Sequence, residues 1–166
     1  MKSIILNVVL LSVLVSCKAQ DSALDLIDTK DVQINSIELF KLSIEEEKTQ
    51  LGKPDSVIQN YDPIVDESPF YEFYYENSII SFQNDKVVDF KILDDSYEVI
   101  GLRPGDKESK VKKLFSSSYE KKYTPTDAKY QVVPISLSSD GQITDSYIHV
   151  LIEDEKVINI EYWENP

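Results

Sequence analysis

Two stretches of the chain write the same short hairpin. Phe82 to Ile92 reads FQNDKVVDFKI, and Ile152 to Tyr162 reads IEDEKVINIEY. Each begins apolar, crosses three polar or charged residues to Lys-Val, and continues as a strand-like alternation. Strands joined by so short a polar turn run antiparallel, so a chain that does this twice is committed to antiparallel sheet. Val88, Phe90 and Ile92 fall on one face of the first copy, with Asp89 and Lys91 on the other. Period two with one polar face describes a half-buried strand. Ile158, Ile160 and Tyr162 repeat the inward positions at a constant offset of 70. Only Lys86/Lys156 and Val87/Val157 are identical, so element order carries the repeat more than identity does.

The flanking segments extend the pattern. Ser43 followed by Glu46 has the form of a capping box. Glu45–Glu47 would then sit in the first helical turn, where the helix dipole favours acids, and Gly52 and Pro54 stop the helix. Phe70–Tyr75 and Ser78–Gln83 flank a turn at Glu76-Asn77. Together with the strand after Asn84-Asp85-Lys86 they predict a three-stranded meander behind a short helix, with Tyr71, Phe73 and Tyr75 pointing into the core. In the second half Asp106 is a good N-cap, and Val111, Leu114 and Phe115 form one helical stripe. Strands follow at Tyr130–Leu137, Ser146–Ile152 and Val157–Trp163, with a strong turn signal at Asp140-Gly141. The helices correspond at an offset of 63, which leaves an insertion in the second unit.

The expectation is an α+β fold: two tandem helix-plus-antiparallel-meander units, 36–95 and 96–166, sharing one antiparallel sheet with helices on one face.

The N-terminus reads MKSIILNVVLLSVLVSC. A basic tip followed by a short apolar run is a secretory signal, and it falls short of the ~20 apolar residues that span a bilayer. Leu14-Val15-Ser16-Cys17 resembles the lipobox of bacterial lipoproteins. That resemblance implies cleavage of residues 1–16, lipidation of Cys17 and a tether over 17–35. Cys17 is the only Cys, so no internal disulfide can form. Lys18, rather than Asp, follows it, which favours the outer membrane, on its periplasmic or its outer side.

Removing residues 1–16 takes Lys2 from the 17 basic residues and no acid from the 30, leaving a net charge of −14. Such a chain repels nucleic acid and anionic headgroups. It is steered instead toward a basic protein. About 150 residues remain, and an apolar fraction of 42% over the full chain with ten Tyr suits one compact folded domain.

Gly-Lys-Pro-Asp at 52–55 after a capped helix, and Tyr74-Tyr75 followed by Ser81–Val88, resemble the BamE-like family of small outer-membrane lipoproteins. Two such units in tandem resemble the β-lactamase-inhibitory-protein-like fold. The resemblance implies the fold, a helix followed by three antiparallel strands, twice over. The chain departs from the latter group in having no disulfide to pin its units.

Residues able to carry chemistry are few. His149, the only histidine, lies mid-strand without a local nucleophile or orienting partner, and is expected as a solvated strand residue. Asp94-Asp95 and Asp62/Asp66/Glu67 lack the arrangement of a split-pKa pair or a calcium loop, as does the segment Asp140–Asp145. No glycine-rich phosphate cradle is present. No catalytic residue, metal or cofactor is expected.

If helices cover one sheet face, the other holds Tyr74, Asp89, Lys91, Tyr147, His149, Asn159, Glu161 and Trp163. Tyr and Trp on a rigid exposed sheet are residue types that anchor interfaces. The expected function is therefore non-catalytic protein binding at the bacterial envelope, as an assembly scaffold or an inhibitor or immunity-type protein. The partner would be another envelope or secreted protein of basic character. A small-ligand carrier is the alternative, and it predicts an apolar cavity between sheet and helices.

Overall fold

The repeated hairpin closes on left-handed turn residues in both of its copies. In the computed structural model, which describes residues 23–61 and 68–164, Asn84 and Asp85 have φ of 52° and 59°. Asp154 and Glu155, 70 residues later, have 49° and 61°. Two consecutive positive φ values make the turn whose twist matches that of antiparallel strands. Asp140 and Gly141, at 51° and 78°, close a third hairpin in the same way.

The strands, in chain order, are β1 (Leu26–Asp28), β2 (Gln33–Ile34), β3 (Ile37–Glu38), β4 (Ser56–Asn60), β5 (Phe70–Tyr75), β6 (Ser78–Gln83), β7 (Lys86–Ile92), β8 (Gln131–Ser139), β9 (Gln142–Glu153) and β10 (Lys156–Glu164). Three short helices interrupt them: α1 (Ile44–Gln50), α2 (Glu108–Leu114) and α3 (Ser116–Glu120). Eight strands form one sheet in the order β1-β8-β9-β10-β7-β6-β5-β4, and β2-β3 form a small separate ladder. The meander β5-β6-β7 therefore lies beside the meander β8-β9-β10, joined through their last strands. That junction is narrow, pairing only Ile160 with Ile92 and Glu161 with Lys91.

The expected α+β class, with one antiparallel sheet carrying helices, is overturned. Nearly half of the described chain is strand, the helices are seven, seven and five residues long, and the sheet is mixed. β1 runs parallel to β8, pairing Leu26 with Ser136 and Asp28 with Ser138. The physical reason lies in residues expected as a tether. Val32 and Ile34 have no exposed surface, and burying such side chains stabilises by about 1.5–3 kcal/mol each. Asp25 fastens this segment to α3: its N–H donates to Ser118 Oγ at 2.9 Å, and the Ser118 N–H donates to Asp25 Oδ2 at 2.8 Å. The signal peptide and Cys17 lie outside the described residues, as do Asp62, Asp66 and Glu67.

One face of the large sheet carries the core. Phe73, Ile80, Phe82, Phe90, Ile92, Ile135, Leu137, Ile148, Val150 and Ile160 are buried there, under Leu39, Leu42, Val99, Leu102 and Val111. Phe40 packs its ring against Phe90 and Tyr162 at 6.2 and 5.5 Å. The capping box of α1 is present in full, Ser43 and Glu46 each bonding the other's N–H. Asp106 is not the N-cap expected of it. α2 starts from Lys107, and the Asp106 carboxylate accepts from the Arg103 N–H and Lys110 Nζ. Leu114 is 45% exposed, while Val111 and Phe115 are buried.

The alternation in the repeated strand also slips by one residue. A bulge falls at Val88, opposite the step from Ser81 to Phe82, and a second falls at Ile158. Val87 and Val157 fill the core in place of the expected Val88 and Ile158. The extra residue in each strand re-aims everything after it. Phe90 and Ile160 face inward, and Asp89, Lys91, Asn159, Glu161 and Trp163 face away.

Candidate functional site

The face opposite the core is where the expected site residues gather. Strand pairing sets them in two rows. One runs Pro134, His149, Glu161, Lys91, Ile79, Tyr74 and Ser56 across β8, β9, β10, β7, β6, β5 and β4. The other brings Ser136, Tyr147 and Trp163 up to the seam from one side, and Ile58, Glu72, Ser81 and Asp89 from the other. All eight expected residues share this face, although they do not share its exposure.

Tyr147, His149 and Trp163 form a continuous aromatic patch. His149 stacks on Trp163 with ring centroids 5.2 Å apart and planes 18° apart. Tyr147 lies 5.8 Å from Trp163 and 6.2 Å from His149. Trp163 remains 39% exposed. His149 is not the solvated residue expected: it is 8% exposed, and burial lowers its pKa from the ordinary imidazole value. The ring is therefore neutral at physiological pH and serves as an apolar plate beneath Trp163.

Asn159 departs further from the expectation. It is 2% exposed, held across from Leu151. Its Nδ2 donates to Glu161 Oε2 at 2.6 Å, and its Oδ1 is buried without a hydrogen-bond partner. The bond fixes the Glu161 carboxylate in place and leaves it half-exposed, ready to accept from an incoming donor.

Around the patch the charge is acidic. The Asp89 pKa is raised to about 6, first by desolvation and then by repulsion from Glu161 and Glu72, with the Phe90 N–H and Lys91 opposing. The residue itself is solvent-accessible, so a partner can reach it. Glu72 accepts from Asn60 Nδ2 at 3.2 Å and the Tyr74 hydroxyl at 3.3 Å. Tyr123, 47% exposed, reaches this face from the segment after α3. Its pKa is raised by burial, then by Tyr130 and Glu161. Neither Glu72 nor Tyr123 was expected here. Glu72 alternates with Tyr74 and was within reach of a period-two count. Tyr123 is brought in by a bridge to Val132, which has no local signature.

Other chemistry is sparse. Among the described residues no group of three or more His, Cys, Asp or Glu is placed to hold a metal ion, and no helix is long and apolar enough to cross a membrane. Asp94 accepts from the Ser96 N–H and hydroxyl, which hold its carboxyl below the usual range. With Asp95, Glu153, Asp154 and Lys156 it lines an open, polar cavity of about 690 Å³ where β7 and β10 part. In comparisons with known proteins, the chain matches no family model, no curated protein and no solved structure.

Proposed function

We propose that this is a membrane-anchored, non-catalytic protein-binding lipoprotein of the bacterial envelope. Cys17 carries the lipid, and the open sheet face is its contact surface. The observation that carries the reading is the Tyr147–His149–Trp163 patch bordered by Glu161, Asp89 and Glu72. An aromatic platform with fixed carboxylates beside it suits a basic protein surface, because Arg both stacks on such rings and pairs with such carboxylates. The address rests on the lipobox-like Leu14–Cys17 and on the resemblance to BamE-like lipoproteins. Within this reading the protein is an outer-membrane assembly scaffold or an inhibitor of immunity type.

The test is paired affinity capture from envelope extract, on the wild-type protein and on a Trp163→Ala, Glu161→Lys variant confirmed to be folded. The expected result is a basic protein retained by the wild type, eluted by salt and lost from the variant. An enzyme or toxin silenced on binding would mark the inhibitor role, and an assembly factor the scaffold role. Identical retention on both columns, or none on either, sinks the assignment of this face.

A further inference from the structure

The sheet ends at β4, and among the described residues nothing hydrogen-bonds to the outer edge of that strand. All five of its residues are exposed. Its sequence, SVIQN, holds no charge, proline or glycine, and it pairs with β5 in unbroken register. Those are the devices that ordinarily keep a sheet edge from adding another strand. The opposite edge is protected: β1 is three residues long and ends at Asp28, which is ion-paired to Lys30. At the β4 edge, by contrast, Val57, Ile58 and Tyr61 are 46, 45 and 50% exposed.

We propose that β4 pairs antiparallel with β4 of a second copy of this chain, about a two-fold axis through Ile58, so that the two sheets become one. The edge is complementary to itself in that register. Ile58 meets Ile58, Val57 lies opposite Gln59, and Ser56 lies opposite Asn60. Tyr61 falls opposite Asp55, where a cavity of about 400 Å³ is lined by Lys48, Lys53, Pro54, Asp55, Ser56 and Val57. The exposed ring of each copy thus meets the other copy's Pro54, Val57 and two lysine ammoniums, an apolar and cation–π seat. A two-fold operator makes both contacts at once. Residues 56–61 carry no charge, so the paired strands set no like charges directly opposite one another, and Asp55 of each copy falls opposite the uncharged Tyr61.

The experiment is sedimentation velocity on the purified full chain in mild detergent over about a thousandfold range of concentration. Wild type is compared with Ile58→Lys and Tyr61→Ala, and amide hydrogen exchange is read on the same samples. The expected protein mass rises from that of one chain toward that of two, while residues 56–60 gain protection. Ile58→Lys, at an exposed position, keeps the wild-type circular dichroism and shifts the midpoint at least about tenfold upward. Tyr61→Ala shifts it by less. A wild type that stays single throughout overturns the proposal. So does an Ile58→Lys variant that dimerises like wild type, or a dimer that protects residues 147–163 instead.

Discussion

Glu47 has no exposed surface, and neither of its carboxylate oxygens has a hydrogen-bond partner. Burial raises its pKa to about 7, with Lys48 pulling weakly the other way. Tyr97 lies close enough for the Glu47 charge to help raise its own pKa, behind burial, Asp94 and Glu76. The linkage follows from the proton count. Between pH 4.5 and about 7 the folded state holds a proton on Glu47 that the unfolded state has released. Stability therefore falls as pH rises through that window and levels off above it. The full loss is on the order of 3 kcal/mol. Glu47→Gln keeps the shape of the neutral acid and cannot ionise. Chemical denaturation should find it within about 1 kcal/mol of wild type at pH 4.5 and more stable by on the order of 1–3 kcal/mol at pH 8. A difference that does not change with pH would rule out the buried ionisation. Residues of this kind were not legible in the sequence: Glu45–Glu47 reads as a helix start, and that reading is silent on which acid the helix turns inward.

The two hairpins that share a sequence pattern also share a turn and a bulge, and differ in one contact. Asp85 Oδ1 accepts from the Ile44 N–H at 2.9 Å, so the first turn also holds the start of α1. Glu155, its counterpart, is tied back among the described residues through its main chain, whose carbonyl accepts from the Glu108 N–H. Both positions have positive φ, where glycine relieves strain. Glu155→Gly should therefore stabilise by about 0.5–1 kcal/mol. Asp85→Gly should lose that gain and destabilise by about 1 kcal/mol, because the helix start gives up the carboxylate that accepts from its Ile44 N–H. Urea midpoints of the two variants decide the matter, and equal shifts would contradict it. The turns themselves were legible because Asn-Asp and Asp-Gly carry their own turn chemistry. The bulges were not, since a one-residue slip changes no residue type. β4 and β1 were missed for another reason. Ser-Val-Ile-Gln-Asn and Leu-Ile-Asp are too short to show a period, and a parallel pairing between residues 110 apart leaves no trace in either segment. The face of the candidate site survived these errors because the alternation after each bulge is regular. The burial of His149 and Asn159 was illegible because it depends on which neighbours the sheet brings beside them.

Across the whole molecule, the sheet is closed on one side by β1, the first strand of the described residues. The reciprocal bonds between Asp25 and Ser118 seat it against α3. Ser118 has no exposed surface, so Ser118→Ala leaves the Asp25 N–H short of a partner at a cost of about 1–3 kcal/mol. The melting temperature should drop on the order of 5 °C, and amide exchange should rise first at Leu26–Asp28. A uniform rise across the sheet would show that this seat is no local latch.

That seat has a consequence in time. A polypeptide emerges from its ribosome, or from any membrane pore, with its beginning first. Here the opening strand finds its neighbour only when Ser136–Ser138 arrive, and the last strand of the first meander waits for Ile160 and Glu161. Loop closure over so long an interval is slow, and it must precede the contacts that reward it. A nascent copy of this protein therefore stays loose until it is nearly complete. Under the envelope location proposed above, that delay keeps the chain threadable while it crosses the membrane.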